Sequence, residues 1–337
     1  MKDDYLWDGS GDPDPEIRKL EKLLSPLRFD RAAPEFEFQA EAAKPVRRRP
    51  GLAAAFGWAS ACMILVAAAA WWALRPGPSY EVVRLEGTPR VGSALLGPTG
   101  RLRTGQWLAT DDSSRARIHI GDLGDVEIDA NTRIQLVQAG ADQQRLLLQR
   151  GILHARIWAP PRSFYVDTPF GQAVDLGCAY TLEVEDNGTG ILRVASGWVA
   201  FEHEGRESFV PAGAICLTRP GTGPGTPYRN DASPRFQAAL EEIDSGKPNR
   251  SRSLAIIVAE SRLQDSLTLW HLLARTSGQD RAAIYDCLAG LVAPPAGVTR
   301  GGVLALDRHM LDLWWNELGL GDTELWRQWE RPWPGRK

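Results

Sequence analysis

The sequence is poor in the residues and motifs that build metal and enzyme sites. Its 337 residues include four cysteines and five scattered histidines, and no Cys-x-x-Cys pair occurs. A zinc site needs such ligands at close spacing, so we expect no metal and no cofactor. The Gly-x-Gly-x-x-Gly, P-loop and Gly-x-Ser-x-Gly motifs are also missing. We therefore expect no catalytic residues and interpret the chain as a protein other than an enzyme.

An excess of positive charge is missing as well. The chain has 39 lysine and arginine residues against 42 aspartate and glutamate residues, which gives a formal net charge of −3. Nucleic-acid-binding domains usually carry a basic face, because much of their affinity comes from phosphate contacts. The one basic run, at residues 47–49, stands directly before a long uncharged stretch. We expect no direct contact with nucleic acid.

The uncharged stretch runs from Gly51 to Leu74, over 24 residues. As a helix it would be about 36 Å long, enough to cross a hydrocarbon core of about 30 Å. Trp71 and Trp72 lie near its end, where indole rings favour the membrane boundary. Ten of the residues are alanine, so a buried core helix is the alternative. The pattern predicts one transmembrane helix over residues 50–75.

The basic residues before this stretch also predict its orientation. By the positive-inside rule, residues 1–49 form a cytoplasmic arm and the chain from Arg75 onward lies outside the cytoplasm. A cleavable signal peptide fits less well, because its polar leader would be about fifty residues long. We expect a single-pass protein of the inner membrane with its C-terminal bulk in the periplasm.

The cytoplasmic arm contains one predicted helix, over about residues 15–27. Asp14 can cap it, Pro15 suits the first helical position, and Pro26 falls near its end. Apolar residues recur at three- and four-residue spacing, which gives the helix one apolar face. A helix this short is not stable alone in water, so the face requires a partner. The predicted partner-binding residues are Leu20, Leu23, Leu24 and Leu27.

Residues 80–218 have the pattern of an all-β domain. Short segments alternate apolar with polar residues, for example at 115–120 and 151–157, and turns rich in glycine, aspartate and proline separate them. This spacing is typical of a sandwich, a roll or a short β-helix. Two cysteines of this block, Cys178 and Cys216, either form a disulfide or lie separately buried as small apolar side chains.

The C-terminal part changes to a helical pattern. Residues 219–233 are rich in glycine and proline and are interpreted as a linker. Residues 234–332 then form an all-α domain, expected as a bundle or as stacked helix pairs. The predicted helices centre on residues 236–243, 254–258, 263–273, 284–291, 306–314 and 325–329. The chain is thus predicted to be multi-domain, with an arm, a transmembrane helix, an all-β domain and an all-α domain.

The β block resembles the FecR family in the order and spacing of several short motifs. These are Gly105-Gln-Trp-Leu-Ala-Thr110, Ala116-Arg-Ile-His-Ile120 with Gly124-Asp-Val-Glu-Ile128, Leu148-Gln-Arg-Gly-Ile-Leu153, Phe164-Tyr-Val-Asp-Thr-Pro169, Gly197-Trp-Val199 and Pro211-Ala-Gly213. The likeness covers residues 81–217. It departs at Gly177-Cys178-Ala179-Tyr180, where the family usually has Gly-Thr-x-Phe.

FecR proteins are envelope-anchored regulators that act on an extracytoplasmic-function sigma factor. The resemblance implies that the outer domain receives an envelope signal and that the arm modulates such a sigma factor. The alternative is a membrane-tethered envelope binding module without a sigma-factor role, which holds a glycan, peptidoglycan or a protein. In that case Trp107, Trp158 and Trp198 are the candidate aromatic residues of a sugar site.

Overall fold

The computed structural model describes residues 14–25, 78–140, 142–246 and 250–321. No helix within these ranges is long and apolar enough to span a bilayer. The predicted transmembrane stretch, Leu27 and the predicted helix at 325–329 lie outside them. By its internal contacts the chain forms two compact units, Met1–Ala73 and Leu74–Lys337.

The described part of the first unit is one helix, α1 (Pro15–Leu24). Its predicted start is confirmed, because the Asp14 carboxylate accepts a hydrogen bond from the backbone N–H of Glu16 at 2.9 Å and Pro15 is the first helical residue. The helix ends at Leu24, earlier than the apolar pattern predicts. The physical reason is that Pro26 has no N–H to donate to the Lys22 carbonyl, which accepts a hydrogen bond from the Ser25 hydroxyl at 2.9 Å.

The second unit begins with a β-rich region of eighteen described strands. They are β1 (Ser79–Glu86), β2 (Arg90–Val91), β3 (Ala94–Leu95), β4 (Thr99–Arg103), β5 (Trp107–Ala109), β6 (Arg115–His119), β7 (Gly124–Ile128), β8 (Arg133–Ala139), β9 (Gln144–Ile157), β10 (Phe164–Thr168), β11 (Gly171–Asp175), β12 (Cys178–Val184), β13 (Gly190–Ser196), β14 (Trp198–His203), β15 (Arg206–Pro211), β16 (Ala214–Arg219), β17 (Gly223–Pro224) and β18 (Tyr228–Arg229).

These strands pair into two sheets that share β9. Sheet A has the order β4–β1–β6–β7–β9–β12–β13–β16, with β17 and β18 paired to β16. Sheet B has the order β3–β2–β5–β8–β9–β10–β11–β14–β15. Only the pairing of β9 with β10 is parallel among the described strands. Antiparallel pairing of this kind favours a sandwich or roll over a β-helix.

Gly151 marks the point where β9 passes from sheet B to sheet A. Its φ is +94°, and a Cβ atom at this position would collide with Thr132, which lies in the connection between β7 and β8. Side chains other than glycine rarely adopt such a φ. The passage between the sheets therefore explains the glycine in the Leu148–Leu153 motif.

One apolar core lies between the two sheets. Fully buried residues such as Ile118 and Leu153 of sheet A share it with Leu146 and Phe201 of sheet B. Outward positions along the same strands are largely polar, as period-2 alternation requires. The predicted all-β pattern is confirmed at this level.

Residues 219–233 differ from the predicted linker. Strands β17 and β18 fall inside this segment, residues 223–228 are buried, and the Gly225 N–H donates to the Leu217 carbonyl at 2.7 Å. The glycine and proline residues thus form a strap that follows β16 closely. Gly225 is required there because a Cβ atom would press on the Asp244 carboxylate and the Leu217 carbonyl.

Six further helices complete the described chain. They are α2 (Pro234–Asp244), α3 (Arg250–Glu260), α4 (Ser266–Arg275), α5 (Gly278–Leu291), α6 (Arg300–Leu304) and α7 (Arg308–Glu317). All of the predicted helices that fall on described residues are present, and α6 is additional. They enclose a second core that includes Phe236, Ile257, Leu272, Ile284 and Trp314.

The helices pack against the β-rich region. Phe209 of β15 meets Trp315 of α7 edge to face, with ring centroids 5.8 Å apart, and contacts Trp270 of α4 at 6.4 Å. The Trp198 indole N–H of β14 donates to the Leu320 carbonyl. Residues predicted as two separate domains therefore share aromatic contacts.

A buried ionic cluster also joins the two regions. The Asp244 carboxylate at the end of α2 accepts hydrogen bonds from Arg206 of β15 at 2.8 Å and from the Thr226 N–H of the strap at 2.6 Å. Arg275 of α4 lies 3.5 Å from the same carboxylate and donates to Ser208 at 2.6 Å. Burial lowers the pKa of Arg275 to about 10. The cluster fixes helices, strap and sheet in one arrangement.

Candidate functional site

The leucine face of α1 is the candidate partner-binding site in the arm. The exposed fractions are 53% for Leu20, 74% for Leu23 and 56% for Leu24, and no residue of α1 is buried. Three large apolar side chains on one face of a ten-residue helix are not stabilised by the helix itself. Leu27, the fourth predicted member, lies outside the described residues.

Cys178 and Cys216 lie on different strands of sheet A, with β13 between them. Cys216 is opposite Leu192 of β13, which is opposite Leu182 of β12, four residues beyond Cys178. Their Cα atoms are therefore more than about 13 Å apart, whereas a disulfide requires less than about 7 Å. Both thiols are free and buried. The structure thus fits the alternative of two separately buried cysteines.

Cys178 occupies the position at which the FecR family usually has threonine, and its thiol donates a hydrogen bond as a threonine hydroxyl can. Its thiol donates to the carboxylate of Asp175, which also accepts the Gly177 N–H at 2.7 Å. Burial raises the pKa of Asp175 to about 7 and raises the pKa of the Cys178 thiol far above its ordinary range. Cys178 is therefore a structural donor in a buried turn rather than a reactive thiolate.

The outer face of sheet A carries a ladder of charged side chains. Arg117 of β6 donates to Glu127 of β7 at 2.6 Å, and His119 contacts Asp125 at 2.5 Å. His154 of β9 lies between Asp129, at 2.8 Å, and the Thr181 hydroxyl, at 2.9 Å. Opposite charges on neighbouring strands stabilise a sheet face. These histidines have carboxylate and threonine partners and no serine or cysteine nucleophile among the described contacts.

A groove opens on this face between several of these charged side chains. It has a volume of about 480 Å³. Its lining includes Arg115, Arg117, Asp125, Glu127, His154, Arg156, Ala179, Thr181 and Ala195. No sequence motif singles out Arg156 or the two alanines, although alternation along the strands places them on the polar face. Only the strand order brings them together.

The three tryptophans considered for a sugar site do not line one site. Trp107 of β5 and Trp198 of β14 are five strand positions apart in sheet B, which is about 24 Å. Trp107 stacks under Arg133 at 4.5 Å, and Trp198 bonds to Leu320. Trp158 is 61% exposed and donates to the Asp122 carbonyl at 2.9 Å.

Within the described ranges, no group of three or more histidine, cysteine, aspartate or glutamate side chains is arranged to hold a metal ion. The pairs His119–Asp125 and His154–Asp129 each offer two potential ligands, and Arg115 also pairs with the Asp129 carboxylate at 3.1 Å. These side chains form hydrogen bonds and ion pairs across the strands.

Residues 106–200 match the family model described as FecR protein, and they form the core of the β-rich region. The chain is also similar to two crystal structures of a candidate anti-sigma factor from Parabacteroides distasonis ATCC 8503, at 12% identity with TM-scores of 0.32 and 0.33. These alignments cover 40% of this chain and 64% of the solved chains. No curated protein matches.

The FecR family is regulatory rather than enzymatic. The match therefore supports a regulatory role of the FecR kind for this chain. It falls on strands β5 to β14, which include the charged face and the Asp175–Cys178 turn. The resemblance read from the sequence motifs is confirmed.

Proposed function

We propose that this protein is a single-pass membrane regulator whose FecR domain receives an envelope signal and whose arm binds an extracytoplasmic-function sigma factor. The observation that carries the proposal is the combination, in one chain, of a FecR domain with an amphipathic helix whose leucine face is exposed. The uncharged stretch between them, preceded by arginines, supplies the membrane crossing.

The leucine face is the proposed sigma-factor contact. An exposed face of this type binds by inserting apolar side chains at i, i+3 and i+4 into a groove of the partner. Each leucine that becomes buried contributes about 1.5–3 kcal/mol. Binding therefore depends on side chains that contribute little to the stability of the free protein.

The first test replaces two leucines. We expect the doubly substituted full chain, Leu20→Asp with Leu24→Asp, to lose at least about tenfold in sigma-factor retention when a tagged copy is purified from cells, since two buried apolar contacts become charges. The matched control is Arg18→Asp, which lies on the opposite face and places a carboxylate near the helix start, where it is tolerated. Equal retention by all three chains, or no sigma factor with any of them, would refute the role of this face.

The second test concerns topology. We expect alkaline phosphatase, which is active only outside the cytoplasm, to be active when fused after Lys337 and inactive when fused before Met1. Deletion of residues 51–74 should abolish the C-terminal activity, because the body then lacks its export signal. Phosphatase activity at the N-terminus, or undiminished C-terminal activity after the deletion, would contradict the proposed membrane crossing.

An envelope binding module without a sigma-factor role is the second candidate. The observation that favours it is the groove on the outer face of sheet A, which is large enough for a small ligand. Under this alternative the chain binds its envelope ligand normally when the leucine face is changed, and no sigma factor is retained by the unaltered chain.

A further inference from the structure

The groove on sheet A exists because two neighbouring strands present alanine beside an arginine. Arg156 of β9 is paired with Ala179 of β12, and Ala195 of β13 follows on the same outer face. The β12–β13 register shifts at Ala179, so that Ala195 is an extra residue between two paired positions. Bulges of this kind occur often beside binding sites, because they redirect side chains and open the sheet surface.

The carboxylates that line the groove already have cationic partners. Glu127 accepts from Arg117 through both Nε, at 3.1 Å, and Nη2, at 2.6 Å. Asp125 contacts the His119 ring. Both acids are therefore engaged with β6, on the side of the groove away from the alanines.

Arg156 is the exception among the lining cations. Arg115 has Asp129 at 3.1 Å and Arg117 has Glu127. For Arg156, the described residues supply no hydrogen-bonding or ion-pairing partner, and its side chain is exposed at the groove. On β7, the other neighbour of β9, Asp125 is the residue opposite Arg156, and Asp125 is already paired with His119. The Arg156 guanidinium, with its parallel N–H donors, thus faces a space lined by the methyl groups of Ala179 and Ala195.

We propose that this groove is a binding site for a small ligand that carries a carboxylate, with the Arg156 guanidinium as its principal contact. A planar carboxylate matches the two parallel N–H donors of arginine. Three arginines and two carboxylates line the groove, a difference of one positive charge, which suits a monoanion better than a dianion. The volume of about 480 Å³ accommodates a short peptide or a short acidic sugar.

This inference does not depend on the sigma-factor role. The ligand site lies on the FecR domain, and the arm is not needed for it to bind. The two proposals therefore fail separately: loss of the leucine face leaves ligand binding unchanged, and loss of Arg156 leaves the free arm unchanged. In this proposal an envelope molecule binds the β-rich region through the Arg156 guanidinium.

The test uses calorimetric titration of the full chain with trialanine, galacturonate, trialanine amide and inorganic phosphate. We expect at least one of the two carboxylate probes to bind with a Kd of about 1 mM or tighter. Arg156→Gln should weaken that binding at least about tenfold, because a charged hydrogen-bond donor is removed. Ala179→Glu should weaken it similarly, since the new carboxylate lies on the strand position paired with Arg156 and takes its donors.

The matched control is Arg103→Gln. Arg103 is an exposed arginine on β4, the edge strand of the same sheet, four strand positions from β9. Binding by this variant should equal that of the unaltered chain, and circular dichroism should show that all the variants fold. Stronger binding of trialanine than of its amide supports a peptide carboxylate, and preference for galacturonate supports an acidic sugar.

Three results would overturn the proposal. They are no saturable binding of either carboxylate probe, unchanged binding after Arg156→Gln, and phosphate binding as tight as that of the carboxylates. The last result would show that any anion is accepted and that the groove has no carboxylate preference. If Ala179→Glu fails to fold, the comparison of Arg156→Gln with Arg103→Gln still decides the question.

Discussion

Asp244→Ala is expected to lower the free energy of unfolding by about 3–5 kcal/mol, the usual cost of removing one partner from a buried ion pair. The Asp244 side chain is only 8% exposed and Arg275 only 11%. Removing the carboxylate leaves Arg275 buried without its counter-charge and leaves the Thr226 N–H without an acceptor. Denaturant unfolding of the full chain measures the change.

A surface pair provides the control for this prediction. Asp286 and Arg300 form an ion pair of similar length, 3.1 Å, with side chains that are 60% and 50% exposed. Asp286→Ala should change the free energy of unfolding by no more than about 1 kcal/mol, because water already solvates both charges. If the two substitutions cost the same, the cluster around Asp244 does not hold helices and sheet together as described.

His271→Gln should become steadily more stable relative to the unaltered chain as the pH falls from about 6.5. The unaltered His271 is completely buried in α4; its Nε2 accepts the Phe209 N–H at 3.0 Å, and its Nδ1–H donates to the Leu267 carbonyl at 2.8 Å. Burial, with a contribution from Arg275, lowers the pKa of the folded-state imidazole to about 3.

The sign follows from proton uptake. Below about pH 6.5 the unfolded chain binds a proton at His271, while the folded chain keeps the imidazole neutral. The free energy of unfolding of the unaltered chain therefore decreases as the pH falls from about 6.5 towards 3. The loss is about 1.4 kcal/mol per pH unit. Glutamine does not titrate, so the difference in stability between the variant and the unaltered chain should grow by that amount per unit. A difference that stays constant between pH 7 and 4 would contradict the buried neutral imidazole.

Asp175→Asn tests the opposite sign in the same pH range. Burial raises the pKa of the folded-state Asp175 to about 7 from 3.8, so the unaltered chain loses stability as the pH rises through this interval. The asparagine variant should therefore gain stability relative to the unaltered chain as the pH rises. The contributions of Asp175 and His271 have opposite signs and partly cancel in the unaltered chain. Denaturant unfolding of each variant beside the unaltered chain therefore measures one contribution at a time.

The parts of the fold that follow from local pattern could be predicted from the sequence. Alternation identified strands such as β6 and β12, and three- and four-residue spacing identified α2, α4 and α7. The cap of α1 by Asp14 was also predictable, because a short polar side chain before Pro15 can satisfy only the nearest backbone N–H groups.

Features that depend on strand order could not be predicted. The spacing of Cys178 and Cys216 allowed a disulfide, and only the register shows that β13 separates them. The Gly/Pro content of residues 219–233 indicated a linker, yet the same backbone pairs with β16 and is buried. Arg156, Ala179 and Ala195 are unremarkable in sequence and form a groove only when three strands lie side by side.

Transcription from a promoter of the partner sigma factor tests the central claim most directly. Cells that lack this protein are complemented with the unaltered chain, with the Leu20→Asp, Leu24→Asp chain, or with the Arg18→Asp control, at matched protein levels. We predict that the unaltered chain and the control restore regulated transcription and that the doubly substituted chain does not. Full regulation by the doubly substituted chain would contradict a signal passed through the leucine face of α1.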